Sequence, residues 1–76
     1  MTDFIVEFDF RKYTMFFESS TVTPDTIEVK VIMYSTVYHI YKDKTTKVWQ
    51  NHPGKFELSK GLLEAVGHKL DNFLQI

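Results

Sequence analysis

The chain contains no cysteine, only 2 prolines and 3 glycines, and no apolar run long enough to span a bilayer. Without thiols there is no disulfide staple, no thiolate nucleophile and no cysteine-type zinc site. A chain of 76 residues must then be held by packing quality or by self-association. The absence of Cys is compatible with a reducing compartment, and a cytoplasmic location is the expectation. Few breakers, with 43% hydrophobic and 25% charged residues, exclude a disordered or low-complexity chain. No stretch approaches the roughly 18 apolar residues of a membrane span. Asp3, Glu7 and Asp9 stand where a signal peptide would be basic. With no repeat and no shift in composition, residues 1–76 read as a single domain.

The net charge of −1 provides no general attraction to nucleic acid or anionic membrane, but it is unevenly spread. Lys42, Lys44, Lys47, Lys55 and Lys60 against Asp43 and Glu57 make the segment 42–60 net +3. The segment 1–38 carries Arg11, Lys12 and Lys30 against six acids and is net −3. The simplest reading of the lysine-rich segment is a solvated edge.

What is present alternates. Asp3 to Phe10 places Phe4, Val6, Phe8 and Phe10 on one side and Ile5, Glu7 and Asp9 on the other, the period of a half-buried strand. A two-residue turn at Arg11 and Lys12 would bring back Tyr13 to Glu18, pairing Phe8 with Met15 and Val6 with Phe17. Ser19 to Thr26 reads as the one loop-like, mobile stretch. Ile27 to Tyr34 alternates again, with Ile27, Val29, Val31 and Met33 inward. A turn at Ser35 and Thr36 leads to Val37–Lys42 and sets Tyr38 and Ile40 beside Met33 and Val31. A further turn over Asp43 to Thr46 adds Lys47–Gln50 with Trp49 opposite Ile40. Asn51, His52, Pro53 and Gly54 end the sheet.

The remainder is an amphipathic helix. Ser59 suits the N-cap, and Leu58 can pack on Leu63 as a hydrophobic staple. At 100° per residue Leu62, Leu63, Val66, Leu70, Phe73 and Leu74 fall within one arc, with Glu64, His68, Asp71, Asn72 and Gln75 opposite. Gly67, at the rim of the arc, marks a close approach of helix to strand. The expected fold is therefore α+β, an antiparallel meander of about five strands with one C-terminal helix packed on one face.

Reaction chemistry is not legible in these residues. His39, His52 and His68 are widely spaced on a strand, a turn and a polar helix face, so they offer no metal-ligand spacing. No nucleophile elbow is present, Gly61 and Gly67 form no phosphate loop, and Glu7 and Asp9 alternate along a solvated strand face. The expectation is a non-enzyme with no catalytic residues, no metal and no cofactor.

Once the helix covers one sheet face, the other still carries Ile5, Phe16, Ile32, Tyr34, Val37, His39, Tyr41 and Val48. A water-facing sheet surface is normally polar, as Glu7, Asp9, Thr14, Glu18, Glu28 and Lys30 are here. The apolar outward residues gather toward the hairpin 32–41, and their aromatic character suits an interface. A protein-binding patch of Phe16, Ile32, Tyr34, Val37, His39 and Tyr41 is the first expectation, with a homodimer or another protein as partner. The alternative is nucleic acid, with Lys42, Lys44, Lys47 and Lys55 on phosphates and Tyr38 or Tyr41 stacking on bases. A single arginine, Arg11, and the absence of an RNP-like stretch weigh against it. A third reading is addition of an edge strand or the helix to a larger host protein. The specific biological role is not written in these motifs.

Overall fold

The computed structural model describes residues 2–75 as five strands and a helix. The strands are β1 (Thr2–Phe8), β2 (Arg11–Val22), β3 (Thr26–Met33), β4 (Thr36–Asp43) and β5 (Trp49–Asn51), and the helix is α1 (Lys60–Leu74). The strands form one antiparallel sheet in the order β1-β2-β3-β4-β5, so the architecture is the expected α+β meander closed by a C-terminal helix. The helix packs on both edge strands, β1 and β5, which requires the sheet to curl toward it. Among the described residues no helix is long and apolar enough to cross a membrane.

The turns differ from the sequence reading, for a backbone reason. The first turn is Asp9–Phe10, not Arg11–Lys12, with φ of 55° and 62° at its two central residues. Such a two-residue loop needs left-handed backbone at both positions, which Asp tolerates better than Arg or Lys. Phe10 is carried to the hairpin tip and stands fully in solvent, away from the core side where its alternation placed it. The second hairpin turns at Tyr34–Ser35, one residue before the expected Ser35–Thr36, with φ of 51° and 63°. Ile40 is opposite Val29 and Asn51, and Lys42 is opposite Trp49. Moving a turn along the chain slides the partner by an even number of residues. Except beyond the bulge in β2, every side chain of the paired strands therefore keeps the face that its alternation assigned.

The stretch Ser19 to Thr26 is mostly strand rather than loop. Ser19–Val22 continues β2 opposite Lys30, Val29, Glu28 and Ile27, because Thr21 and Val22 suit a pleated backbone. The reversal is confined to Pro24 and Asp25. There the Thr23 hydroxyl accepts from the amides of Asp25 (3.3 Å) and Thr26 (2.8 Å), while the Thr23 amide donates to the Thr26 carbonyl (2.8 Å). A bulge between Phe17 and Ser19 reverses the facing of the last residues of β2, so Ser20 and Val22, not Ser19 and Thr21, share the side of Val29 and Ile27.

The core lies between the inner sheet face and α1. Val6, Met15, Val29, Val31, Met33, Ile40 and Trp49 are buried against Leu58, Leu62, Leu63, Val66 and Leu70. Phe73 extends this contact at one end, its ring 5.2 Å from Phe17 and 6.4 Å from Phe4. Ser59 stands at the N-cap, but its hydroxyl makes no capping bond. The chain entering α1 is held instead by Asn51. Its side-chain amide donates to the Leu58 carbonyl (2.9 Å), and its side-chain oxygen accepts from the Leu58 amide (3.0 Å).

Two glycines let α1 approach the sheet edges. A methyl group at Gly61 would stand 2.5 Å from the Phe8 ring, and one at Gly67 would stand 2.6 Å from Cγ of the Trp49 indole. Phe8 is half-buried and can give way, whereas Trp49 is buried and tethered. Gly67→Ala is therefore expected to destabilise by ~1–3 kcal/mol, although Ala is the better helix former by about 1 kcal/mol. Gly61→Ala is expected to cost less, and paired urea melts check both values. A Gly67→Ala protein as stable as the parent would remove the close indole contact from this account.

Candidate interaction face

The outer face is built by the residues whose alternation turns them away from α1. Register places Phe16 opposite Ile32 and Ile32 opposite Val37, so three apolar side chains form one row across β2, β3 and β4. No element among the described residues covers them. Phe16 is 40% exposed although it lies mid-strand, and Ile5 on β1 is also exposed. Beside β4 the segment after β5 adds a second wall: a groove of about 620 Å³ runs between Thr36, Val37 and His39 on one side and Gly54, Lys55 and Phe56 on the other. Phe56 is exposed at this groove and escaped the sequence reading, because it sits in an irregular segment with no period to mark it.

The other half of the face is polar. His39 pairs across the sheet with Lys30, and Tyr41 pairs with Glu28 and Gln50. The Tyr41 hydroxyl donates to the side-chain oxygen of Gln50 (3.2 Å), and its ring lies 4.7 Å from that of His52. His52 Nε2 lies 2.8 Å from Glu28 Oε1, while the Thr26 hydroxyl donates to Glu28 Oε2 (3.2 Å). Loss of hydration holds His39 below its ordinary pKa of 6.5, and the positive charges of Lys30 and Lys55 act in the same direction. The six expected interface residues thus separate. Phe16, Ile32 and Val37 are contiguous, while His39 and Tyr41 belong to the polar half. Tyr34 is not on the face: it occupies the β3–β4 turn, highly exposed, with its ring edge-on to Tyr13 at 6.5 Å. Val48, also expected outward, lies in the connection before β5 rather than on a strand.

The lysines separate as well. Lys44, Lys47 and Lys55 are exposed, but Lys42 points inward beside Ile40 and its side chain is only 11% exposed. Its Nζ donates to Asp71 Oδ1 (2.8 Å), the oxygen that also accepts the Trp49 indole N–H (3.0 Å). Asp71 is consequently half-buried, where the helical wheel set it in solvent. The carboxylate neutralises a lysine and satisfies an indole together. Lys42 is spent on the fold, and Lys44, Lys47 and Lys55 remain as the solvent-facing cations of the expected set. Among the described residues no group of three or more metal-ligating side chains comes together.

Comparison with family models, with curated proteins and with solved structures finds no match for this chain, so the face is read from its own geometry.

Two outcomes are expected here. Asp71→Ala leaves Lys42 poorly exposed without its counter-charge and the indole without an acceptor. The expected cost is on the order of 2–3 kcal/mol, with a change in Trp49 emission, checked by fluorescence-detected urea unfolding. For His39, the folded state favours the neutral ring. Its stabilising contribution is therefore complete above 6.5 and declines as pH falls from 6.5 toward the folded midpoint. Lys30→Gln should raise that midpoint in an NMR titration of the imidazole, and an unmoved midpoint would discount the Lys30 charge.

Proposed function

We propose that this protein is a small non-enzymatic interaction module that associates with a second copy of itself through the outer sheet face. The observation that carries the reading is the Phe16–Ile32–Val37 row, apolar across the three central strands where a solvated sheet would be polar. A two-fold contact of this row with its equivalent would remove apolar surface from water on both partners at once. The polar half, with Lys30, Glu28 and His39, would form the wetter rim that protein interfaces usually have. A chain this short, with no disulfide, also has a reason to gain buried area by association.

A nucleic-acid role is less well supported. Its basic set loses Lys42 to Asp71, and the buried Trp49 is not free to stack on a base. Light scattering behind size exclusion tests the proposal. The parent should elute at about twice the 9.0 kDa chain mass, largely independent of salt, and Phe16→Glu with Val37→Lys should yield a folded monomer. A monomeric parent at millimolar concentration, or a double variant that stays dimeric, would remove this face from the function.

A further inference from the structure

We infer that the free edge of β1 is a docking site for an extended segment of a different protein, one whose side chains alternate between basic and apolar. β1 is the terminal strand of the sheet and is seven residues long, without proline or bulge. The two-residue turn at Asp9–Phe10 makes Phe8 and Arg11 a mutually hydrogen-bonded pair. Counting back by twos, Phe8, Val6 and Phe4 spend their amides and carbonyls on β2. Asp3, Ile5 and Glu7 direct theirs outward, where no strand lies among the described residues.

The edge does not open onto bare solvent. A groove of about 690 Å³ runs beside it, walled by Ile5, Val6 and Glu7 and by Gly61, Glu64 and Ala65 of α1. Gly61 and Ala65 are small, so the helix wall leaves room for the inward side chains of an added strand. Main-chain bonds to Asp3, Ile5 and Glu7 would supply affinity, and the groove would select alternate side chains.

Charge decides what can occupy the edge. In an antiparallel addition, residues opposite Asp3, Ile5 and Glu7 project on the same face as those side chains. Basic, apolar and basic side chains complement that order. Glu7 has Lys12 at 3.9 Å, in a pair so exposed that it screens little, and Lys69 and His68 of α1 also line the groove, so the basic side chains of the partner are matched to Asp3 and Glu7 on the strand and not to the helix wall. A second copy is disfavoured at the same edge. The antiparallel register of β1 on β1 with full overlap sets Asp3 against Glu7 twice, and like charges directly opposite each other destabilise a ladder. This edge adjoins the outer-face row, since Asp3 lies opposite Phe16, but its charges suit another kind of partner.

The test uses the full chain with two heptapeptides, Thr-Lys-Val-Ile-Val-Lys-Thr and Thr-Glu-Val-Ile-Val-Glu-Thr, labelled for fluorescence anisotropy at low salt and followed by amide hydrogen exchange. The basic peptide is expected to bind at least about tenfold more tightly and to slow exchange at Asp3, Ile5 and Glu7. Asp3→Lys with Glu7→Lys should invert the preference. Ile5→Pro, which removes only an outward donor, should abolish binding while a cooperative melt persists. Should Ile5→Pro fail to fold, the charge reversal still decides. Equal binding of the two peptides, binding of neither, protection away from β1, or an unaltered preference in the charge-reversed protein would each overturn the proposal.

Discussion

The structure turns on one carboxylate. Asp71 Oδ1 accepts from the Trp49 indole and from Lys42, joining α1 to β5 and β4. The indole in turn lies against Gly67, one helical turn before Asp71, so the helix cannot approach the sheet with any larger residue there. β5 has only three residues and could not hold its edge of the sheet by ladder bonds alone. Its position is secured at one end by Trp49 and at the other by Asn51, whose side chain bonds the backbone of Leu58 as a further strand would.

That anchoring explains why one sheet face is closed and the other open. A single helix, fastened at β5 through Trp49 and seated on β1 through Phe8 and Gly61, spans the inner face from edge to edge. Nothing remains in the described chain to cover the outer one. The apolar row Phe16–Ile32–Val37 is thus a consequence of the architecture, and self-association is the reading that gives it a use. The polar half beside it is already organised by Glu28, His52, Tyr41 and Gln50.

Much of this was legible in the sequence, because a period of two survives errors in the turns. The turns at Asp9–Phe10 and Tyr34–Ser35 escaped, since left-handed backbone at Phe or Tyr carries no sequence signal. Yet each slip was even in register, so Val6, Met15, Val31 and Ile40 still fell on the buried side. The bulge after Phe17 escaped for the same local reason. Lys42 was misread for a different one: its charge outweighed its parity, although its alternation with Tyr38 and Ile40 placed it inward. Asp71 could have been found as its partner, four residues beyond Gly67 on the same strip of helix. Phe56 left no trace, because an aromatic in an irregular segment is assigned to a surface only by the fold.

In the proposed assembly two copies meet at the Phe16–Ile32–Val37 row. Isotope-filtered nuclear Overhauser spectroscopy on an equal mixture of carbon-13-labelled and unlabelled protein tests it most directly. Intermolecular contacts are expected from the Ile32 and Val37 methyl groups to the Phe16 ring of a second copy, with none from the buried Val66 or Leu70. Intermolecular contacts confined to β1 or α1, or none at concentrations where the protein is dimeric, would contradict it.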